Sequence, residues 1–309
     1  MLKRSYLLFS SLPSLIVPLI FTSPAAAVQL TGRAILEADT FAPGPTSGQQ
    51  ISIPFTDQQP VQGFSAVLPG PKPGTFRVTT DNGFGSKSNS ADFLLRVYAV
   101  EPDFTTGQVF PVNFQTGERL ASFSQDSFLQ LNDGTNQIDF PIIAEQSFYP
   151  GTTIPVDQRI QSNRWLTGAD FDIESFRQAS DGTYWFGDEF GPFLFHVAAD
   201  GQVLDAPISL PNFLGLGDNP LVQSPHNPQL DGTANLGGSK GFEGLALNSS
   251  GNKLYAMLEG ALIPDNQGDR LLINEFDLDQ QQYTGKTFFY QRDPQGRAIG
   301  VLFKSKKRQ

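Results

Sequence analysis

Acidic residues recur in this sequence where strands would begin and end. Residues 170–174 read Asp-Phe-Asp-Ile-Glu, so Asp170, Asp172 and Glu174 alternate with Phe171 and Ile173. Alternation in an extended chain puts the three carboxylates on one side and the apolar pair on the other. Asp188 and Glu189 close the β-prone run Tyr184-Trp185-Phe186, Glu243 and Glu259 bracket a second hairpin, and Asp81 ends a third. Carboxylates gathered from separate strands are the oxygen ligands that a hard divalent cation such as calcium takes. A cation held there would offset phosphate charge, polarise a P–O bond and activate a water. Glu174, Asp188 and Glu243 are therefore the candidate catalytic groups. Asp81, Asp172, Glu189 and Glu259 are the candidate metal ligands. Lys87, Arg177, Lys240 and Arg270 lie near them in sequence and are candidates for holding outer phosphate oxygens. Plainer roles compete: carboxylates also cap turn amides, and lysines and arginines also sit solvated at the surface.

Three related units would position these acids. In 170–197, Ser180-Asp181-Gly182 joins two β-prone runs, and a Gly-Pro break precedes a third run at 193–197. This pattern predicts a three-strand meander. The same order recurs at 241–273, turning through Ser250-Gly251-Asn252, and at 63–97, turning through Pro73-Gly74. Aligned on these turns, Ser65, Glu174 and Glu243 share one repeat position, and Asp81, Asp188 and Glu259 share another. A supersecondary unit repeated with acids in register predicts an all-β, β-propeller-like fold with a charged axial mouth. Between the units, 30–36 suggests an N-terminal strand, 84–92 an irregular insert and 101–164 a divergent strand set with a turn at Asn132-Asp133-Gly134. The Pro- and Asn-rich stretch 205–239 carries little strand signal. A propeller closes with four or more blades of roughly 40–50 residues each. Three repeats are legible and a fourth is open, so either the divergent stretch 101–164 supplies further blades or the propeller is incomplete, truncated at its C-terminal side.

The chain has 309 residues, with 30 Gly, 23 Pro and 27 Phe. That balance favours many short strands and turns, and helical periodicity is hard to find. Residues 1–27 read as a secretory signal: Lys3 and Arg4, an apolar stretch broken by Pro13 and Pro18, then Ala25-Ala26-Ala27. The apolar stretch is too short and proline-rich to span a membrane. The expectation is export to the periplasm or the extracellular space, with cleavage after about Ala27 and one domain over 28–309. The chain has no cysteine, so neither disulfides nor a lipid-modified cysteine is possible. Its formal charge is −10. Losing Lys3 and Arg4 gives −12, and setting aside Lys304, Lys306, Lys307 and Arg308 leaves −16 on the body. Such acidity argues against nucleic acid as a partner and suits divalent cations.

Gly237-Gly238-Ser239-Lys240-Gly241 matches Gly-x-Ser-x-Gly, and His196 and His226 could supply a base. That motif works between a strand and a helix, whereas here a loop precedes and a strand is expected to follow. A serine carboxylesterase is thus a minor alternative. Gln280 stands where the first glycine of a phosphate loop would be, so Gly285-Lys286-Thr287 is not one. Ser175 stands where the glycine of a helix-loop-helix calcium site would follow 170–174.

Four segments together resemble the phytase-like family of exported bacterial proteins, described by an esterase-like activity of phytase. They are Thr80-Asp81-Asn82-Gly83-Phe84-Gly85-Ser86-Lys87-Ser88-Asn89-Ser90-Ala91-Asp92, Asp170-Phe171-Asp172-Ile173-Glu174, Gly187-Asp188-Glu189-Phe190-Gly191-Pro192 and Lys240-Gly241-Phe242-Glu243-Gly244-Leu245-Ala246. The resemblance covers about 60–295. It implies a β-propeller-like fold, phosphate-ester hydrolysis at repeated Asp and Glu residues, and further blades beyond this chain. The expected function is an exported, divalent-metal-dependent phosphoric ester hydrolase acting on a small phosphorylated substrate, with calcium as the expected metal. A non-catalytic secreted binding module, or an inactive truncated fragment, is the alternative.

Overall fold

The computed structural model describes residues 30–266 and 270–293. The expected signal segment 1–27 and the basic residues from Lys304 onward lie outside the described residues.

Three antiparallel sheets follow one another along the chain. A two-stranded ribbon, β1 (Phe41–Pro43) with β2 (Gln58–Pro60), precedes them. The first sheet runs β3 (Phe64–Pro69), β4 (Phe76–Thr80), β5 (Arg96–Asp103) and β6 (Gln108–Pro111). The long β5 pairs β6 through Val100–Asp103 and also β7 (Phe128–Gln130) through Arg96–Tyr98. The second sheet is β8 (Ile173–Gln178), β9 (Tyr184–Asp188), β10 (Phe193–Val197) and the short β11 (Ile208–Ser209). The third is β12 (Phe242–Leu247), β13 (Lys253–Leu258), β14 (Arg270–Asp277) and β15 (Gln282–Gln291). The only α-helix among the described residues is α1 (Gln158–Asn163). None of the sheets closes on itself, and the chain is all-β with the meander order that the repeats predict.

Local chemistry explains the hairpins. Between β8 and β9, Gly182 sits at φ 90, where a side chain is strained, and the Asp181 carboxylate accepts from the Thr183 amide at 3.0 Å and its hydroxyl at 2.7 Å. Residues 30–36 depart from expectation. They make one isolated bridge, Ile35 to Gln108, rather than a strand. The 84–92 insert holds a single 3-10 turn at Lys87–Asn89, and the stretch 205–239 contributes only β11.

The middle sheet is buried on both faces, which is why β9 and β10 are buried at every position. Side chains alternate faces along a strand. Phe176, Phe186 and Phe195 face the first sheet in one core with Val97, Ala99 and Phe171. Trp185 and Leu194 face the third sheet in a second core with Leu245, Leu254 and Phe276. The rings form a ladder: Phe171 stacks on Phe195 at 4.5 Å between centroids, and Phe195 lies 5.2 Å from Phe186. Pairs in this range add about 0.5–1.5 kcal/mol beyond their buried area.

The leading strands of the three sheets, β3, β8 and β12, lie side by side. Glycine permits that approach. A Cβ built on Gly241 would fall 2.6 Å from the Glu189 Cα and carbonyl oxygen and 2.8 Å from the Asp188 carbonyl oxygen. One on Gly168 would fall 1.9 Å from the Asn82 carbonyl oxygen. These contacts are with backbone, which cannot swing aside. Gly241→Ala should therefore separate the second and third sheets and cost about 1–3 kcal/mol, the range for overpacking. Urea denaturation of the variant measures it, and a midpoint equal to that of the parent protein would contradict this account of the sheet contact.

Candidate active site

Each leading strand carries an irregularity at one residue. Pairing jumps from Phe64 to Ala66 in β3, from Ile173 to Ser175 in β8 and from Phe242 to Gly244 in β12. The extra residues are Ser65, Glu174 and Glu243, the three that the repeat alignment equates. A bulge leaves its extra residue out of the ladder and re-aims its side chain.

The second repeat position needs a correction of one residue. Phe64 pairs Thr80, Ile173 pairs Asp188, and Phe242 pairs Leu258. The next residues, Asp81, Glu189 and Glu259, are the equivalent ones. Their amides donate to the carbonyls just before the leading strands: Asp81 to Gly63 at 2.7 Å, Glu189 to Asp172 at 2.9 Å and Glu259 to Gly241 at 2.9 Å. Asp188 thus occupies the position of Thr80 and Leu258, inside the ladder.

Oxygens of Asp172, Glu174 and Glu189 lie within 4.8 Å of one another. Asp172 and Glu189 are buried, and Glu174 is half-buried. Burial raises the carboxyls of Asp81, Asp172, Glu174, Glu189 and Glu243, because a desolvated group resists charge. Glu189 is pushed up to about 10 by burial, then by the charges of Glu174, Asp172, Glu259 and Glu243. Glu174 goes to about 9 by burial and the charges of Asp172, Glu243 and Asp81, opposed by a hydrogen bond from Ser65. Glu243 goes to about 7 by burial and the charge of Glu259, with Lys240 pulling the other way. Asp172 goes to about 6 by burial, opposed by bonds from Asn82 and Ser239. Asp81 is raised by burial against the Gly83 amide. Asp81, Asp172, Glu174, Glu189, Glu243 and Glu259 thus form one electrostatic group.

The donor set fits a hard divalent cation: it is all oxygen, drawn from several carboxylates, and converging. Oε1 of Glu189 is buried with no hydrogen-bond partner. A buried oxygen left unpaired is costly unless something unseen completes it. Asp172, Glu174 and Glu189 are the residues that could hold such an ion.

The remaining candidates fall elsewhere. Asp188 is fully buried; its Oδ1 accepts from the Asp172 amide at 2.8 Å and its Oδ2 from the Gly191 amide at 2.7 Å. Both oxygens are thereby occupied in bracing the cluster's backbone, and burial pushes the carboxyl to about 7. Asp170 does not share a strand face with Glu174, because β8 begins only at Ile173. Its carboxylate instead binds the Ile143 amide at 2.7 Å and the Thr167 amide and hydroxyl at 2.8 and 2.9 Å. Arg270 pairs with Asp265 at 2.5 Å and stacks on Phe289 at 4.4 Å. The guanidinium of Arg177 is buried and donates to the Phe176 carbonyl at 2.6 Å. Lys240 pairs with Glu259. The Lys87 ammonium donates to the His226 carbonyl at 2.8 Å and lies 5.1 Å from the ring centre of Phe190, next to Glu189.

Sequence reasoning did not single out Asn82 or Ser239 as partners of Asp172. The Asn82 amide donates to Asp172 Oδ1 at 3.2 Å, and Ser239 adds its hydroxyl. Ser239 has the left-handed φ of 45 and is followed by strand β12, so the strand-turn-helix setting of a nucleophilic serine is missing. His196 is held between Asp205 at 3.1 Å and Thr183 at 2.8 Å.

The family model for phytase-like proteins, described as "Esterase-like activity of phytase", matches residues 59–303. A protein of Arthroderma benhamiae described as an "Uncharacterized secreted protein" is 25% identical over 104 residues, which is 30% of this chain and 20% of that relative. The matched stretch therefore spans about a fifth of the relative's length.

Two outcomes follow from the geometry. Asp188→Asn removes an acceptor from a buried amide and should cost about 1–3 kcal/mol in urea denaturation; an unchanged midpoint would remove the bracing role. For pH, the raised carboxyls bind protons more tightly folded than unfolded. Their contribution is complete below the unfolded carboxylate range and is lost as pH climbs through about 7 for Glu243 and about 9 for Glu174. In chelator, Tm should fall between about pH 5 and about pH 9, and Glu174→Gln with Glu189→Gln should flatten that fall. Scanning calorimetry across that range checks it.

Proposed function

The chain belongs to the phytase-like family, and on that premise we propose that it is an exported, divalent-metal-dependent phosphoric ester hydrolase. The observation that carries the proposal is the meeting of Asp172, Glu174 and Glu189, with one buried oxygen of Glu189 left without a partner. The proposal includes cleavage of residues 1–27, one domain over 28–309, and delivery to the periplasm or extracellular space. It also treats the three sheets as successive blades of a propeller-like arrangement. The side-by-side leading strands and the shared bulge position support that view. No helix among the described residues is long and apolar enough to cross a membrane.

Asp172, Glu174 and Glu189 would hold the ion, calcium being the expected one for an all-oxygen set. Bound there, it supplies positive charge that offsets the phosphate and polarises its P–O bonds. Glu243, pushed up to about 7, is the cluster carboxyl best placed to hold or release a proton near neutrality. Asn82 and Ser239 fix Asp172, Ser65 steadies Glu174, and Asp188 braces the backbone that bears Asp172. Lys87 is the cation kept for the outer phosphate oxygens. It borders a cavity of about 220 Å³ formed with Pro141, Ile142, Ala169 and Asp170, where the rest of a small phosphorylated substrate would fit.

A second reading is a non-catalytic binding module. The engagement of Lys240 by Glu259 and of Arg270 by Asp265 favours it, because two of four cations expected near phosphate are already paired. Turnover decides between them. With calcium, the protein should release phosphate from phytate or a nitrophenyl phosphate. Chelator should abolish this, and Glu174→Ala with Glu243→Ala should lower it at least about 100-fold while circular dichroism stays unchanged. Unchanged turnover in the double variant would refute the assignment, and metal binding without turnover would favour the module.

A further inference from the structure

The two halves of the acid cluster are neutralised differently. Among the described residues, no ion pair involves Asp172, Glu174 or Glu189. On the other half, the Lys240 ammonium donates to Glu259 Oε2, and its charge also reaches Glu243. Both halves use the same backbone device, a bulge carboxylate beside a strand-end carboxylate: Glu174 with Glu189, and Glu243 with Glu259.

The fold fixes where Lys240 stands. Its carbonyl accepts from the Gly260 amide at 3.2 Å. Its stem passes between two glycines. A Cβ on Gly260 would come 2.7 Å from the Lys240 Cβ, and one on Gly237 would come 3.1 Å from its Cγ. Any larger residue at either place would displace the stem. The ammonium is thus delivered to Glu259 by a cradle, and Glu259 itself is largely buried, with 13% of its side chain exposed.

We propose that Lys240 is a tethered cation that occupies the Glu243–Glu259 half of the cluster, so that the protein binds one divalent cation, at Asp172, Glu174 and Glu189, and not two. This rests on the metal reading above. The physical reason is competition for the same oxygens. A paired ammonium satisfies Glu259 and offsets Glu243, and a hard dication would have to displace it. Removing the ammonium leaves Glu243 and Glu259, two partly buried carboxylates within reach of each other's charge, without that counter-charge.

The test is calcium stoichiometry by isothermal titration of the metal-free full chain, with calcium chloride as the probe and ionic strength held constant. The parent protein should bind one calcium. Lys240→Gln should bind two, Lys240→Arg should stay at one because the charge is kept, and Lys240→Gln with Glu259→Gln should return to one. Lys240→Met, which keeps the stem in its cradle, repeats the first variant should the glutamine perturb folding. Two calcium ions in the parent protein, or one in both neutral variants, would overturn the inference and leave the metal reading standing. No calcium in the parent protein would overturn the metal reading itself.

Discussion

Carboxylates repel one another, and they repel more strongly where water is scarce. Asp81, Asp172, Glu174, Glu189, Glu243 and Glu259 are nevertheless held together at the ends of three sheets, with Asp172 and Glu189 buried. Neutralising such a group by protons alone requires the large upward shifts seen for Glu174 and Glu189. The rest of the structure supplies the force that opposes this repulsion. The middle sheet is clamped by apolar cores on both faces, and backbone glycines at 168 and 241 let the neighbouring sheets close on it. Strain tolerated at a site and offset by packing elsewhere is a common mark of function.

The sequence carried the meander and its alternation plainly. Tyr184-Trp185-Phe186 and Phe193-Leu194-Phe195 are continuous apolar runs because both faces of that sheet are covered, and the turn at Ser180-Asp181-Gly182 that leads into the first run is local chemistry. The acids of the cluster were also legible as a set. What could not be read was the register within it. Aligning acids by spacing made Asp188 the partner of Asp81, whereas hydrogen bonding makes it Glu189. A bulge adds one residue to one strand only, and side-chain direction inverts with every residue. An error of one position therefore exchanged a group facing the cluster for one buried beneath it.

The loops were opaque for a different reason. The stretch 205–239 has little strand signal, yet it is pinned in place. The Ser224 hydroxyl bonds the Phe190 carbonyl at 2.5 Å, and the Asn227 amide bonds the Gly191 carbonyl at 2.9 Å. Those carbonyls lie immediately after Glu189. Ser239 and Lys240, at the end of the same stretch, then contact Asp172 and Glu259. No periodicity announces such contacts, since each is a single polar side chain meeting a turn far away in sequence.

The three bulges separate what the backbone determines from what the side chain determines. Ser65, Glu174 and Glu243 stand at the same break in three leading strands, beside Asp81, Glu189 and Glu259 in that order. The geometry is repeated, but the chemistry is not. In the first unit the bulge residue is a hydroxyl that donates to Glu174; in the second it is a carboxylate in the tightest acid group; in the third it is a carboxylate next to a lysine. One backbone solution, used three times, thus presents a hydroxyl donor, a carboxylate of the tight acid group and a carboxylate beside a lysine. Because the bulge already fixes direction and depth, substitution at that one position can change the role of a unit without rebuilding its sheet.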